Sequence, residues 1–406
     1  MVSLSNHDRS SFDRLRANDF DLLIVGGGII GAGIAWDASQ RGLSCALIEQ
    51  GEFASGTSSK TSKLIHGGLR YLEQMDFMLV REALRERRIL FRIAPRWVQP
   101  LPFMVPVRGG SPRPWPLIRI GIALYDFLAG TPPEQRHRFL NASQAGQEEP
   151  GLQGGRLDRA AVYTDGQMDD AGLVLAVLNA AEKSGAVLAN HVQVTGWKIE
   201  EGKVRGAEVE KAPGGEKFSI RARQVVNATG PWADRLRRMA DPSAQPIVRP
   251  SKGIHLVYPS LGLRHALVLS SPQDGRIFFL IPWKGQTLIG TTDTDYEGDP
   301  GQAEATEEEI SYLIEGTNGC LPSLRIRRER VISTFAGVRP LVASEGKDPW
   351  AISRRHRIHE DPNGLISVVG GKFTTFRKIA AAVVDRLAKK FPDYRLGPCV
   401  TAERPL

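Results

Sequence analysis

The chain has 406 residues, enough for about two domains, and its 41% hydrophobic and 24% charged residues are ordinary for a globular protein. Its net charge of +8 suits an anionic ligand, an anionic membrane surface or nucleic acid, although an evenly basic surface would give the same value. The three cysteines are far apart in the sequence, which argues against a disulfide framework and a cysteine metal site. The polar start argues against a secretory signal, and the lack of a long apolar run argues against a membrane span. We therefore expect a cytoplasmic protein.

Residues 21–49 predict a strand, a glycine-rich turn, a helix and a second strand. The turn has the pattern G-x-G-x-x-G, formed by Gly26, Gly28 and Gly31. Such glycines allow a tight turn, the approach of a pyrophosphate and close packing of the helix on the strand. The N-terminus of the helix offers free N–H groups to the pyrophosphate, and Glu49 can accept the ribose hydroxyls. This unit predicts a bound adenine dinucleotide, without separating FAD from NAD.

The flanking segments give weaker predictions. Residues 1–18 read as a polar leader. Residues 56–63 are mostly small or hydroxyl-bearing, which predicts either a loop wrapped around a flavin or a mobile surface loop. Residues 77–94 predict a helix, whereas the prolines of 95–116 predict turns and edge strands. Residues 115–129 predict a helix that is either buried or placed at a membrane interface.

Further elements follow towards the end of the chain. An acidic turn precedes a predicted helix at 171–184, and strands are expected between 186 and 209. Residues 224–233 predict a strand ending in Ala-Thr-Gly, a small turn where a dinucleotide would pass. Residues 276–294 alternate like sheet strands. Residues 365–390 predict a second strand, a Gly-Gly turn and a helix.

The dinucleotide elements lie at the start, middle and end of the chain, with β-rich pieces between them. This order predicts an α/β fold in which an FAD/NAD(P)-binding Rossmann-like domain is interleaved with a β-rich (α+β) substrate domain. The first domain is expected at 19–95, 156–236 and 352–395, the second at 96–155 and 237–351, and tails at 1–18 and 396–406. Because no second G-x-G-x-x-G occurs, the substrate itself is expected to reduce the cofactor, as in a flavin dehydrogenase or oxidase.

A series of runs resembles the FAD-dependent glycerol-3-phosphate dehydrogenases, relatives of the glycine- and D-amino-acid-oxidase flavoproteins. The runs, in chain order between about residues 20 and 390, are DLLIVGGGIIGAGIAWDASQRGL, TSSKTSKLIHGGLRYLE, RIGIALYDFLAG, YTDGQMDD, VVNATGPWA, KGIHLV, LIGTTDTDYEGDP, GVRPL and GGKFTTFRKIA. The resemblance implies FAD as cofactor and oxidation of sn-glycerol 3-phosphate to dihydroxyacetone phosphate, with hydride passing from C2 to flavin N5. It also implies that electrons continue to membrane quinone, or to oxygen in the oxidases.

The resemblance implies a set of site residues as well, and no metal. The ADP half of FAD would be held by Gly26, Gly28, Gly31 and Glu49. The pyrophosphate and flavin would contact Thr57, Ser58, Ser59, Ser62, Lys63, Leu64, Gly371, Phe373 and Thr374. The catalytic set would be His255, Arg339 and Lys372, and the substrate would also contact Arg70, Tyr71 and Arg354. The chemistry agrees, because a phosphate dianion suits forked arginine donors and a histidine can take the hydroxyl proton; a structural core histidine is the alternative.

The chain departs from the family pattern in three places. Arg355 and His356 stand where an acidic and then an aromatic residue are typical, and Gly172 stands where arginine is usual. The chain ends at Leu406, where family members commonly continue into a C-terminal helical cap, which bears on dimerisation and acceptor contacts.

Two other functions stay open at this stage. One is a flavin oxidase or dehydrogenase of another small anion, such as an amino acid or a 2-hydroxy acid. The other is a basic FAD-binding interaction module for nucleic acid or membrane, although no nucleic-acid motif supports it. We expect glycerol 3-phosphate, quinone and an anionic membrane surface as partners, with peripheral attachment at the inner face of the cell membrane. The acceptor, the identity of the base and a homodimer are left open by the sequence.

Overall fold

The computed structural model describes residues 9–73, 75–109, 113–130, 136–152, 157–211, 214–343 and 355–406, without the side chains of residues 9, 10 and 70. The helices are α1 Arg9–Ala17, α2 Ile29–Gln40, α3 Arg70–Glu73, α4 Phe77–Ile93, α5 Trp115–Ala129, α6 Ala142–Glu148, α7 Asp170–Lys183, α8 Ala233–Ala240, α9 Glu307–Cys320 and α10 Phe376–Ala388. The strands are β1 Asp19–Val25, β2 Cys45–Ile48, β3 Leu64–Ile65, β4 Val98–Val107, β5 Arg138–Asn141, β6 Arg159–Met168, β7 Val187–Ala189, β8 Val192–Glu200, β9 Lys203–Lys211, β10 Lys217–Asn227, β11 Val248–Pro259, β12 Ala266–Ser270, β13 Ile277–Trp283, β14 Gln286–Gly290, β15 Thr294–Asp295, β16 Ser333–Val342, β17 His356–Glu360 and β18 Ile366–Gly370.

The first sheet has a parallel centre. Its order is β17-β18-β10-β1-β2-β7, and β8 and β9 extend it as antiparallel strands beside β10. Strand β1 lies parallel to both β2 and β10, and β10 lies parallel to β18. Both faces of such a sheet are covered, which is why Leu22–Val25 is an unbroken apolar run rather than an alternating one. On one face α2 packs against α7 and α10.

The second sheet is largely antiparallel. Its order is β15-β11-β14-β13-β12-β4-β6-β3, with β16 beside β11 and β5 beside β6. Strands β11 and β16 pair along ten positions, from Val248–Val342 to Val257–Ser333. The two sheets confirm the predicted α/β architecture with a separate β-rich part.

Local sequence signals were reliable where periodicity was strong. The predicted apolar face of the last helix is fully buried in the hydrophobic core between the first sheet and its helices. This face comprises Phe376, Ile379, Val383 and Leu387. The polar leader, in contrast, is only partly a leader. Residues from Arg9 onward form α1, and this mostly polar helix packs on the first sheet through the buried Leu15 and the partly buried Phe12.

The prediction of turns and edge strands over 95–116 was wrong for β4. This ten-residue strand pairs along its whole length with β6 and lies beside β12. Its prolines occupy alternate positions and therefore direct their nitrogens to one side of the strand; they are Pro100, Pro102 and Pro106. Pairing with β12 involves only Phe103 and Met104, so none of the three interrupts that pairing.

The division into two domains remains a prediction, and sheet membership differs from it for two strands. Strands β3 and β6, both placed in the cofactor domain by sequence, belong to the second sheet. The segment 396–406, expected to be a tail, packs on the hydrophobic core between the first sheet and its helices: Thr401 is buried, and the Leu406 amide donates to the Ile93 carbonyl at 2.7 Å.

Candidate active site

A single large cavity of about 2050 Å³ is lined by elements of both sheets. Pockets for small ligands are typically about 300–1,000 Å³, so this space suits a dinucleotide together with a small substrate. It is lined by fourteen of the residues singled out from sequence: Gly26, Gly28, Glu49, Thr57, Ser58, Ser62, Leu64, Tyr71, His255, Arg339, Gly371, Lys372, Phe373 and Thr374. Three others do not line it: Gly31, Ser59 and Lys63. Arg354 and the side chain of Arg70 lie outside the described part of the chain.

The three glycines of the first turn serve different purposes. A Cβ at Gly26, where φ is +115°, would lie 2.6 Å from the Ala228 carbonyl oxygen. A Cβ at Gly31 would lie 1.9 Å from the Gly26 carbonyl oxygen. Both are required by the packing of the protein itself. A Cβ at Gly28 would meet only the Ser58 hydroxyl, at 3.0 Å, and would otherwise project into cavity space.

The end of β2 is tied to the same turn by Glu49. One carboxylate oxygen accepts from the Gly27 amide at 2.7 Å, and the other accepts from the Gly51 amide at 2.9 Å. Each oxygen keeps a further lone pair for a ligand hydroxyl. At the start of α2, the Ile29 amide donates to the Ser58 hydroxyl at 3.0 Å, which places a small polar side chain at the helix N-terminus.

The hydroxyl-rich loop is anchored within the protein, which argues against a mobile surface loop. The Thr57 hydroxyl donates to the Val338 carbonyl at 2.6 Å, and the Thr61 hydroxyl donates to Asp170 at 2.7 Å. Lys63 differs from its predicted place. Its ammonium group pairs with the buried Asp170 carboxylate at 2.8 Å and lies 5.3 Å from the centre of the Phe335 ring, rather than on the cavity wall.

His255, on β11, is buried at the cavity wall. Its ring stacks on Phe335 with centroids 4.9 Å apart, and Nε2 lies 2.8 Å from the Ser62 hydroxyl. Nδ1 is buried and has no hydrogen-bond partner within the described part of the chain. Burial, followed by the nearby positive charges of Arg339 and Lys63, lowers the pKa of His255 to about 3. The imidazole is therefore neutral near pH 7.

Arg339, on β16, is held by a turn for which the sequence had suggested no role. Its guanidinium donates to the Thr291 hydroxyl at 2.9 Å and to the Thr292 carbonyl at 3.2 Å, and it pairs with Asp293 at 3.3 Å. Thr291 and Asp293 also line the cavity. Two sequence signals covered these residues, the run TTDT at a predicted turn and the family-like run LIGTTDTDYEGDP, but neither identified Arg339 as their neighbour.

Lys372 lies between β18 and α10. Its ammonium group donates to the Gly67 carbonyl at 3.1 Å and lies 3.9 Å from the centre of the Tyr71 ring. This places a cation on an aromatic face, an attractive arrangement that also fixes both groups.

Two departures from the family pattern have local structural counterparts. At Gly172 a Cβ would lie 2.4 Å from the Trp97 ring, so this indole occupies the space that a larger side chain would need. Arg355 forms an ion pair with Asp76 at the start of α4, at 2.9 Å.

Comparisons with known proteins agree with this geometry. The sequence profile of the family described as FAD dependent oxidoreductase matches residues 21–382. An aerobic glycerol-3-phosphate dehydrogenase of Staphylococcus haemolyticus is 39% identical over 412 residues, covering all of this chain and 74% of that protein. A glycerol-3-phosphate dehydrogenase of Synechocystis is 40% identical, covering 98% of this chain and 74% of the relative. The glycerol-3-phosphate dehydrogenase of Bacillus halodurans, solved in complex with FAD, is 33% identical with a TM-score of 0.80, covering 97% of this chain and 69% of that one.

The residues present fit FAD. The cavity has the necessary volume, the N-terminus of the twelve-residue α2 opens near its wall, and Gly28 leaves free the space that a side chain would fill. The chain belongs to the FAD-dependent oxidoreductases, in the family of the glycerol-3-phosphate dehydrogenases, and its cofactor is FAD.

Proposed function

We propose that the protein oxidises sn-glycerol 3-phosphate to dihydroxyacetone phosphate and that quinone takes up the electrons. The observation that carries this proposal is that one cavity is lined both by a neutral, buried imidazole, that of His255, and by the guanidinium of Arg339. The first can accept the C2 hydroxyl proton, and the second can bind a phosphate. The relatives reported above support the choice of substrate.

Each described residue has a distinct task in this proposal. Arg339 binds the phosphate through its forked donors, and Asp293 keeps that fork in place. Lys372 and Tyr71 contact the substrate from the other side of the cavity. His255 holds the C2 hydroxyl and takes its proton as the C2–H bond breaks. FAD, which the glycine turn and Glu49 would hold, would supply a two-electron acceptor for the hydride from C2, and quinone would then take up two electrons and two protons. Contacts from Arg70 and Arg354 remain predictions from the family motifs.

Glycerol 3-phosphate is expected to bleach the flavin of the purified protein under anaerobic conditions, whereas glycerol is not. Loss of one charge-assisted contact costs about 1.5–3 kcal/mol, so Arg339→Met is expected to weaken substrate binding at least about tenfold. Stopped-flow absorbance gives both the dissociation constant and the reduction rate. The matched control is Arg249→Met, because Arg249 also pairs with an aspartate of the second sheet, Asp295, but does not line the cavity.

Equal bleaching by glycerol and its phosphate would show that the phosphate assignment is wrong. The second candidate is a flavin dehydrogenase or oxidase acting on an amino acid or a 2-hydroxy acid, since Arg339 would bind a carboxylate equally well. Faster bleaching by such a carboxylate than by glycerol 3-phosphate would favour that candidate.

The outer face of α5 supports peripheral membrane attachment. Helix α5 buries Tyr125 and Ile122 against the second sheet, yet Leu117 is 52%, Ile120 66% and Phe127 82% exposed. No helix in the described ranges has both the length and the apolar character needed to cross a bilayer. The buried face of α5 agrees with the core interpretation, and its exposed apolar face supports the proposal that the helix also lies at a membrane interface.

The neighbouring surface adds apolar and basic groups. At the start of α4, Met75 and Met78 are about as exposed as Ile120, and the same helix exposes Arg81 and Arg85. Met75 and Ile120 also line the cavity, so they lie at its opening. We infer that this face lies on an anionic membrane surface, at the inner face of the cell membrane, where quinone can reach the opening of the cavity. Basic residues near such a surface contribute about 1 kcal/mol each to the attachment.

The protein is expected to sediment with anionic liposomes at low salt and to be released at high salt. Ile120→Ser combined with Phe127→Ser should abolish most of this binding. The matched control replaces two isoleucines exposed to a similar degree elsewhere, Ile199→Ser with Ile332→Ser, and should bind normally. Absence of sedimentation at low salt, with rapid turnover on oxygen alone, would identify a soluble oxidase instead.

A further inference from the structure

A buried polar cluster lies behind the wall that carries Lys372. Asp165 on β6 accepts from the Arg87 guanidinium at 2.6 Å and from the Tyr125 hydroxyl at 2.6 Å. All three side chains are buried, and Asp165 also lines the cavity. The three elements that meet here are β6, α4 and α5.

The backbone of Gly67 connects this cluster to the cavity. Its N–H donates to Asp165, and its carbonyl accepts from the Lys372 ammonium group at 3.1 Å. Neither Gly67 nor Gly68 has room for a side chain. A Cβ at Gly67 would lie 2.5 Å from the Tyr125 hydroxyl, and a Cβ at Gly68 would lie 2.5 Å from the Lys372 nitrogen. Both positions therefore require glycine for the backbone to pass between Tyr125 and Lys372.

Stability alone does not explain such a cluster. Burying an aspartate and an arginine together carries a large desolvation cost, and apolar residues of similar volume are often as stabilising. Burial raises the pKa of the Asp165 carboxyl, and the Arg87 guanidinium opposes that shift. What the carboxylate supplies is geometric, because its two oxygens serve three donors that come from three separate parts of the chain.

We propose that Asp165, fixed by Arg87 and Tyr125, is a positioning residue that orients the backbone at Gly67 and through it places the Lys372 ammonium group in the active site. The proposal rests on the substrate role assigned above to Lys372. Asparagine at position 165 would offer one acceptor oxygen to the same three donors and would release at least one of them. Tyr125→Phe would remove a single donor and leave the Arg87–Asp165 pair in place.

The first test measures hydrogen exchange in the holoenzyme and requires no substrate. Asp165→Asn and Tyr125→Phe are expected to speed amide exchange in peptides covering residues 64–73 by roughly three- to tenfold, as expected for the loss of one hydrogen bond. The matched control is Asp361→Asn, which breaks an equally buried aspartate–arginine pair with Arg237 outside the cavity wall. Unchanged exchange in 64–73, or the same increase in the control, would overturn the proposal.

The second test is a double-mutant cycle on anaerobic flavin reduction by glycerol 3-phosphate. Asp165→Asn should slow reduction about tenfold or more in the native background, because a small misplacement of a binding group is costly. It should have less than about a twofold effect when Lys372→Met is already present. Tyr125→Phe should show the same dependence if Asp165→Asn does not fold.

The outcomes distinguish a failure of the proposed function from a failure of the positioning proposal. If glycerol 3-phosphate fails to reduce the native flavin, the proposed substrate is wrong, and the exchange experiment still decides whether Asp165 orders the Gly67 segment. If Lys372→Met is as fast as the native protein, the role of Lys372 is wrong and the positioning proposal is overturned with it. If Lys372→Met is slow but the two substitutions multiply independently, the proposed function stands and the positioning proposal alone is overturned.

Discussion

Gly28→Val is expected to produce a folded protein that is purified without FAD. The valine side chain would project into the space where a pyrophosphate approaches the start of α2, and it would press on the Ser58 hydroxyl that lies 3.0 Å from a Cβ at this position. Little else in the protein lies near this side chain, so the core should survive. The visible absorbance of the purified protein gives the ratio of FAD to chain, and far-ultraviolet circular dichroism reports folding.

Variants at a second glycine of the turn and at a distant glycine provide the comparison. Gly31→Val would place a side chain 1.9 Å from the Gly26 carbonyl oxygen, so that variant is expected to lose its fold as well as its cofactor. Gly397→Val, with no atom within 4 Å of the added Cβ, should keep both. A Gly28→Val protein that retains a normal complement of FAD would contradict the placement of the pyrophosphate at this turn.

His255→Ala is expected to slow anaerobic flavin reduction by about 10²–10⁴, the contribution typical of a positioned general base. Substrate affinity should change much less, because the proposed substrate contacts of Arg339 and Lys372 do not involve the imidazole. Stopped-flow absorbance over a range of substrate concentrations separates the rate from the dissociation constant. A normal rate with weakened affinity would make His255 a binding residue and place the base elsewhere.

The low pKa of His255 also has a consequence for stability. Its pKa is about 3 in the folded protein and near 6.5 in an unfolded chain, so between these values only the unfolded state takes up the proton. The stabilising contribution is therefore complete above pH 6.5 and falls as the pH is lowered, by about 2 kcal/mol at about pH 5. Urea unfolding of the native protein and of His255→Gln should show this difference; equal losses would contradict the buried neutral state.

Local patterns predicted those parts of the fold that depend on neighbouring residues. The glycine spacing and the apolar run before it identified β1 and α2, and 3.6-residue periodicity identified the buried face of α10. The position of β4 inside its sheet was missed because its prolines favour turns and edge strands locally, while pairing with β6, more than fifty residues away, determines the outcome. Tertiary pairing of this kind has no local signal.

The same limit applies to the candidate site. Motifs placed His255 and Arg339 among the candidates, but the state of the imidazole depends on Ser62 and Phe335, which come from distant loops and strands. Asp165 was not singled out at all, since its run, YTDG, read as a polar turn before a helix. Only the pairing of β6 with its neighbours shows that this carboxylate points inward, towards Arg87 and Tyr125.

The strand order of the first sheet also constrains how the protein is made. Strand β1 lies beside β10, and β10 lies beside β18, so neighbours in space are separated by much of the chain. A ribosome adding about 5–20 residues per second needs on the order of tens of seconds to pass from β1 to β18. Throughout that interval the glycine turn is present in the nascent chain, but the wall formed by Gly371 and Lys372 has not yet been synthesised. Complete flavin binding is therefore expected only after nearly the whole chain has been synthesised.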